Sequence, residues 1–179
     1  KDFIIICVGE LNANKNQALA IKAVKILKER IPNIKLLLAG RGDMEKQYRK
    51  MAEKLGVKDN VLFLGYRRDI PELLSISDVA VSSSRREGLP VNVMEAMATG
   101  LPLVVTDCRG NRDLVQNGEN GFVVGIDDAE GMAERIEYIY KNKKIREKAR
   151  EYNLENIKNY SLDVVRIKMS EIYKEMLKN

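Results

Sequence analysis

Short, mostly apolar runs and longer segments of mixed polarity follow one another along the chain. Uninterrupted apolar runs of this length are typical of strands that are covered on both faces of a parallel sheet. They predict strands at Phe3–Val8, Ile34–Ala39, 61–64, Val79–Ser82, Leu103–Thr106 and 122–124.

The segments between the runs repeat their apolar residues every three or four positions, as helices with one buried face do. Asp43 and Ser161 are the expected N-caps, Gly56 is an expected left-handed helix end, and Pro90 lies in a first helical turn. The pattern predicts helices over 16–31, 44–55, 69–76 and 90–98, and three more after about residue 129.

This alternation predicts an α/β fold, a doubly wound, Rossmann-like parallel sheet of about six strands with helices on both faces. Ligands of such sheets bind beyond the carboxyl ends of the strands. We therefore examine the loops that follow Val8, Ala39, Leu64, Ser82 and Thr106.

The bulk composition indicates one globular domain. The chain has 179 residues, of which 45% are hydrophobic and 32% charged, and its longest apolar run is far too short for a membrane span. Because the sequence enters an apolar strand almost at once, we expect residues 1–179 to be one domain of a longer polypeptide, with a helical tail from about residue 129.

The residue types exclude several kinds of chemistry. The chain has no histidine, which removes Ser-His-Asp and Cys-His nucleophiles and every histidine-based metal site. It also has no Asp-x-Asp pair, a motif that holds a divalent metal against a diphosphate in one class of enzymes. We therefore expect no metal and no cofactor, and chemistry based on carboxylates, backbone amides, lysine and arginine.

Cysteine usage and charge bear on location and partners. Cys7 and Cys108 are expected to be buried free thiols rather than a disulfide or redox pair, and either reading favours a cytoplasmic protein. The net charge is +5, and residues 131–179 carry 12 basic against 8 acidic side chains. A solvated helical surface, an anionic membrane surface and a partner domain all remain open for this tail. Nucleic acid is not expected, since no basic strand interleaved with aromatic residues is present.

Two candidate loops follow the first and second strands. Gly9 lets the backbone approach a ligand, and Lys15 precedes a helix, where a lysine opposes the helix dipole but suits a phosphate. Gly40 and Arg41 begin a second glycine-rich loop. Arg41 faces either a phosphate or solvent on this pattern.

The loop after the third strand contains Gly65, Tyr66 and Arg67. We expect its backbone to lie against a nucleobase. The alternative is an exposed turn in which Asp69 caps the next helix.

The strongest signal follows the fourth strand, where Glu87 and Glu95 flank the start of a helix. Side chains lean toward a helix N-terminus, so the Glu95 carboxylate is expected at the mouth of the site, where it suits two vicinal hydroxyls such as those of ribose. Glu87 is likewise expected to accept hydrogen bonds from hydroxyl groups, such as those of a sugar. We expect Gly88 and the segment of Leu89, Pro90 and Val91 to present backbone N–H groups to phosphates, with a gap at Pro90, which has no N–H. The alternative, that both glutamates only favour a helix N-terminus, leaves the rest of the segment unexplained.

Segment 87–102, EGLPVNVMEAMATGLP, resembles the signature of two glutamates with seven residues between them in retaining GT-B glycosyltransferases, glycosyltransferase family four in particular. Segments 9–16, 63–70 and 109–114 are similar to the subgroup that builds bacterial exopolysaccharides and capsules. The resemblance covers nearly the whole chain. It implies the C-terminal, donor-binding domain of a two-domain enzyme whose N-terminal domain binds the acceptor.

The resemblance also implies roles for single residues. Lys15 would contact the donor diphosphate, Glu95 the ribose and Glu87 the sugar, with front-face displacement and retention of configuration, independent of metal. The family usually has an arginine where this chain has Glu10. The second cation at the phosphates is therefore open among Arg41, Arg85, Arg86 and Arg109.

The implied donor is a nucleotide sugar, with UDP as the default base, and the implied acceptor is a glycan or a lipid-linked saccharide. Peripheral contact of the intact enzyme with the inner face of a membrane agrees with such an acceptor. The rival interpretations are a non-catalytic nucleotide-binding or regulatory module and a sugar-nucleotide epimerase-like domain. A flavodoxin-like receiver is weaker, since no acidic pocket follows the first strand.

Overall fold

The computed structural model describes residues 2–177, and one six-stranded parallel sheet lies at the centre of this part of the chain. The strands are β1 (Phe3–Val8), β2 (Ile34–Ala39), β3 (Val61–Gly65), β4 (Val79–Ser82), β5 (Leu103–Thr106) and β6 (Gly121–Val124). Their spatial order is β3-β2-β1-β4-β5-β6, so the direction of winding reverses between β1 and β4. The doubly wound α/β fold and its six strands are confirmed.

Helices cover both faces of the sheet. They are α1 (Gln17–Leu27), α2 (Glu45–Lys54), α3 (Ile70–Ser75), α4 (Val91–Ala98), α5 (Arg109–Leu114), α6 (Ala129–Lys141), α7 (Lys143–Asn156) and α8 (Leu162–Met176). Adjacent strand residues point to opposite faces, so Ile5 joins a core with α1, α2 and α6, whereas Ile6 joins one with α3 and α4.

Three local predictions differ from the structure. Helix α1 begins after Asn16, which has a left-handed backbone, and it ends at Leu27, although Ile31 is buried as predicted. The prediction that Asp43 caps α2 is wrong, because the helix begins at Glu45 and the preceding Met44 amide bonds to the Leu11 carbonyl. Helix α5 was not predicted, since it has only six residues and no amphipathic repeat.

The tail forms three helices, as predicted. Ser161 caps α8, and its hydroxyl accepts a hydrogen bond from the Val164 amide at 3.4 Å. Helix α8 contains no buried residue, and its apolar side chains remain largely exposed. None of the helices between residues 2 and 177 combines the length and the apolarity needed to cross a membrane.

Candidate functional site

The ends of β1, β2 and β3 are held together at one edge of the sheet. The Gly9 amide donates to the Ala39 carbonyl at 3.0 Å, and the Gly40 amide donates to the Gly65 carbonyl at 2.8 Å. Gly40 has a φ of +155°, and a Cβ placed on it would lie 1.9 Å from the Gly9 carbonyl oxygen. Only glycine therefore lets the first two loops approach this closely.

A cavity of about 560 Å³ opens beside these loops. This volume lies within the usual range for small-molecule sites. Its lining combines the predicted residues Gly9, Glu10, Gly40, Arg41, Tyr66, Arg67 and Glu95 with the apolar residues Val8, Ala39 and Ile70. The structure thus gathers the predicted residues from three loops and from α4, and the first and last of them, Gly9 and Glu95, are 86 positions apart.

Glu95 projects into this cavity from the second turn of α4. Glu95 is exposed overall, but partial desolvation raises the pKa of its carboxyl group above the ordinary glutamate value. Among residues 2–177, the Glu95 carboxylate has neither an ion-pair partner nor a hydrogen-bond donor, so its acceptor capacity is available to a ligand.

The position of α4 is fixed by Asn92, which was not among the predicted site residues. The Asn92 side-chain amide donates to the Val8 carbonyl at 2.8 Å, which ties the start of α4 to the end of β1. An asparagine in the first turn of a helix gives no distinct sequence signal, because it suits solvent equally well.

Lys15 and Glu87 form an ion pair at the reversal point between β1 and β4. The Lys15 Nζ lies 2.6 Å from Glu87 Oε1, and the two side chains are only 24% and 12% exposed. Glu87 does not line the cavity that holds Glu95; it lines a neighbouring crevice on the β4–β5 side. The two carboxylates of the signature thus lie on either side of the reversal point.

The loops that carry Lys15 and Glu87 are bonded to each other directly. The Ser83 hydroxyl donates to the Lys15 carbonyl at 2.7 Å. The Arg85 amide donates to the Asn14 carbonyl at 2.8 Å, and the Asn14 side chain donates to the Arg86 carbonyl at 3.1 Å. These three bonds fix the loop after β1 against the loop after β4.

The segment after Glu87 presents free backbone donors. The amides of Gly88 and Leu89 donate no hydrogen bond within the described part of the chain. Leu89 and Val91 are 54% and 61% exposed, whereas Pro90 is buried and supports the start of α4. The segment therefore combines a fixed end with open N–H groups, which suit an anion.

A family comparison decides what kind of protein carries this site. The family model described as "Glycosyl transferases group 1" matches residues 1–156. The chain belongs to this glycosyltransferase family. Its resemblance to family four of the GT-B type is thereby confirmed.

Named relatives and a solved structure agree with this assignment. EpsD of Bacillus subtilis, which is named as a glycosyltransferase, is 49% identical over 139 residues, or 78% of this chain and 36% of EpsD. The Escherichia coli UDP-Gal:alpha-D-GlcNAc-diphosphoundecaprenol alpha-1,3-galactosyltransferase is 35% identical over 130 residues, or 70% of this chain and 33% of that protein. The structure of Anabaena Alr3699/HepE in complex with UDP matches with a TM-score of 0.88, over 99% of this chain and 49% of HepE. The sequence identity is 24%, so this match shows the fold alone. The chain spans about a third of the length of the two curated relatives.

The arginines of this group 1 glycosyltransferase domain differ in their partners. Arg85 pairs with Asp127 at 2.6 Å. Within residues 2–177, Arg41, Arg86 and Arg109 have no ion-pair partner, and Arg41 lines the Glu95 cavity.

The loop after β3 holds an ion pair of its own. Arg67 Nε donates to Asp69 Oδ1 at 2.7 Å, and this contact lowers the pKa of Asp69. Asp69 occupies the N-cap position of α3 in an exposed turn, as the alternative interpretation expected, but its carboxylate faces Arg67 and forms no capping bond. The Arg67 guanidinium keeps further N–H donors that Asp69 does not use, and Arg67 lines the Glu95 cavity.

Two further side chains, which give no distinct sequence signal, support the loop after β1. The Gln17 side chain, which is fully buried, donates to the Glu10 carbonyl at 2.9 Å, and the Asn12 side chain donates to the Glu10 carboxylate at 2.9 Å. Both bonds orient Glu10 beside the cavity.

Between residues 2 and 177, no three cysteine or carboxylate side chains are gathered as a metal site.

Proposed function

We propose that this chain binds a nucleoside diphosphate sugar, a UDP-sugar, as the donor domain of a retaining glycosyltransferase that builds a polysaccharide. The observation that carries this proposal is the position of the Lys15–Glu87 pair, which lies at the reversal point of the sheet beside the cavity that contains Glu95. Ligands of doubly wound sheets bind at this point.

The donor would lie across the carboxyl ends of the strands, with its nucleoside over β1 to β3. The base would contact the backbone of Gly65, Tyr66 and Arg67, and the unpaired Glu95 carboxylate would accept the two ribose hydroxyls. The diphosphate would then reach Lys15, and the sugar would reach Glu87.

Catalysis by these residues would act mainly on the leaving group. Negative charge develops on the diphosphate as the sugar leaves, and the Lys15 ammonium with the free amides of Gly88 and Leu89 would stabilise it. Glu87 would hold both Lys15 and a sugar hydroxyl. We propose front-face displacement with retention of configuration and without a metal ion.

The choice of UDP and of the acceptor draws on the relatives. The Escherichia coli relative is named for UDP-Gal and a diphosphoundecaprenol acceptor, and HepE was solved with UDP. These names support a UDP-sugar donor and a glycan or lipid-linked acceptor for the present chain.

The intact enzyme would contain an N-terminal acceptor domain. This chain corresponds to only 36% of EpsD, and the apolar side chains of α8 offer a surface on which such a domain would pack. We propose a cytoplasmic enzyme that contacts the inner face of the membrane peripherally when its acceptor is lipid-linked.

Calorimetric titration with UDP, GDP and ADP tests the donor assignment. We expect UDP to bind with the highest affinity, in the presence or absence of EDTA, and the isolated chain to transfer no sugar. Sugar transfer by the chain alone would contradict its role as a donor half. A chain that binds UDP but gives no activity when joined to an acceptor domain would instead be a non-catalytic nucleotide-binding module.

A further inference from the structure

The crevice that Glu87 lines on the β4–β5 side of the sheet carries positive charge that the proposed donor site does not use. It has a volume of about 360 Å³ and lies between the loops after β4 and β5. Four arginines line it, together with Glu87, Asp107 and Cys108; the arginines are Arg85, Arg86, Arg109 and Arg112. We call it the arginine crevice.

Most charges of the arginine crevice are already balanced. Arg112 pairs with Asp107, Arg85 with Asp127, and Glu87 with Lys15. Within residues 2–177, the guanidinium groups of Arg86 and Arg109 have no ion-pair or hydrogen-bond partner. Two positive charges therefore remain in a concave site, and each can donate two parallel hydrogen bonds to an oxyanion.

The position of the crevice along the sheet restricts which oxyanion it can take. The Glu95 cavity lies over the ends of β1, β2 and β3, the Lys15–Glu87 pair lies at the reversal point, and the arginine crevice lies over β4 and β5. A donor whose nucleoside fills the cavity and whose diphosphate reaches Lys15 brings its sugar, and the acceptor beyond it, to the crevice.

We propose that Arg86 and Arg109 form a binding subsite for an oxyanion on the sugar side of the reaction, which is either a carboxylate of the transferred sugar or a phosphate of the acceptor. This inference rests on the proposed function, because it uses the direction in which the donor lies. It assigns these two arginines to substrate selection and leaves Lys15 and the backbone amides at the donor diphosphate.

Calorimetry on the 179-residue chain tests the proposal with four probes: UDP, UDP-glucose, UDP-glucuronate, and inorganic phosphate added to the chain saturated with UDP. The variant is Arg86→Gln with Arg109→Gln. Both side chains are exposed and unpaired, so we expect the variant to fold. Lys50→Gln on the exposed side of α2 is the remote control for the loss of a positive charge, because Lys50 also has no ion-pair partner among residues 2–177.

If the oxyanion is a carboxylate of the transferred sugar, the wild-type chain should bind UDP-glucuronate about tenfold more tightly than UDP-glucose. If the oxyanion is instead a phosphate of the acceptor, inorganic phosphate should bind to the chain saturated with UDP. In either case the double variant loses the effect, UDP affinity changes by less than about twofold, and Lys50→Gln behaves as wild type.

Two results would overturn this inference while leaving the proposed function intact. One is a double variant that weakens UDP as strongly as every other probe, since the arginines would then serve the donor diphosphate. The other is a wild-type chain that binds UDP but shows neither the preference for UDP-glucuronate nor phosphate binding. A chain that binds no UDP would refute the proposed function itself, and with it the direction of the donor.

Discussion

The Lys15 ammonium group lies 2.6 Å from the Glu87 carboxylate, although the two residues are 72 positions apart and belong to different strand–loop units. Both side chains are more than three-quarters shielded from solvent. A contact of this kind responds strongly to loss of one partner, because the other charge is left without compensation.

Replacing Lys15 separates phosphate binding from base binding. We expect Lys15→Gln to reduce the free energy of UDP binding by about 1.5–3 kcal/mol, since a hydrogen bond from a charged group to the diphosphate is lost. Uridine, which has no phosphate, should bind the variant as it binds the wild type. Calorimetry with both ligands measures the difference, and an equal loss for uridine would show that Lys15 acts on the fold or the base.

Replacing Glu95 tests the ribose assignment. Glu95→Gln keeps the shape of the side chain but loses the charged acceptor. We therefore expect the free energy of UDP binding to weaken by about 1.5–3 kcal/mol. Lys50→Gln is a remote control for the loss of a charge. Unchanged UDP binding by Glu95→Gln would remove Glu95 from the ligand site.

The same substitution has the opposite effect on stability. Partial burial raises the pKa of Glu95, although the residue keeps much of its contact with solvent, so its ionised form is slightly less favourable in the folded chain than in the unfolded chain, and this small part of the stability is lost as the pH rises through the folded-state pKa. We expect Glu95→Gln to melt at a higher temperature than wild type at neutral pH, and the difference to vanish below the ordinary glutamate pKa. Thermal melts at several pH values measure this difference, and a variant that is less stable at neutral pH would contradict it.

Gly40 is expected to tolerate no side chain. A Cβ there would lie 1.9 Å from the Gly9 carbonyl oxygen, so Gly40→Ala should lower the free energy of unfolding by about 2–4 kcal/mol. Gly88→Ala is the matched control, because nothing lies within 4 Å of its Cβ position. Denaturant unfolding of the two variants compares them directly, and similar midpoints would mean that the loops can separate at little cost.

Helix α8 should contribute little to the stability of this domain. It contains no buried residue, whereas α7 buries Ala149 and Asn153, whose side chain donates to the Leu101 carbonyl at 2.7 Å. We expect deletion of residues 162–179 to leave the melting temperature nearly unchanged, and deletion of residues 143–179 to lower it strongly. A large loss with the shorter deletion would show that α8 packs on the domain in solution.

The reactivity of the two buried cysteines measures how tightly the core beneath the site is packed. Cys7 and Cys108 are free and buried, as predicted, and burial raises the pKa of the Cys7 thiol to about 11. Cys7 should therefore react with a thiol reagent at neutral pH only after unfolding. Labelling of a Cys108→Ala variant in the native state and in denaturant measures this, and rapid labelling of the native chain would contradict the burial.

The sequence predicted the sheet well because its strands are buried on both faces and are therefore marked by apolar runs. Phe3–Val8, Ile34–Ala39, Val79–Ser82 and Leu103–Thr106 have the predicted bounds. Helix ends were less predictable, since they depend on local backbone geometry such as the left-handed Asn16 and on tertiary bonds such as the one from Met44 to Leu11.

The candidate site could be predicted only in part. Glycines and charged residues at strand ends drew attention to Gly9, Gly40, Arg41 and Glu95, which do line one cavity. The sequence could not show that Glu87 faces Lys15 from a separate crevice, because this depends on the order of the strands in space. Nor could it distinguish Asn92, whose bond to Val8 forms only after α4 has packed.

The bonds among Asn14, Lys15, Ser83, Arg85 and Arg86 have a consequence for how new donor preferences arise. Because main-chain groups take part in all three bonds, the paths of the two loops depend little on the side chains of Arg85 and Arg86. Exchanging such side chains should change which sugar is accepted without displacing the loops. Single substitutions at these positions therefore give a route from one sugar specificity to another through variants that all remain folded.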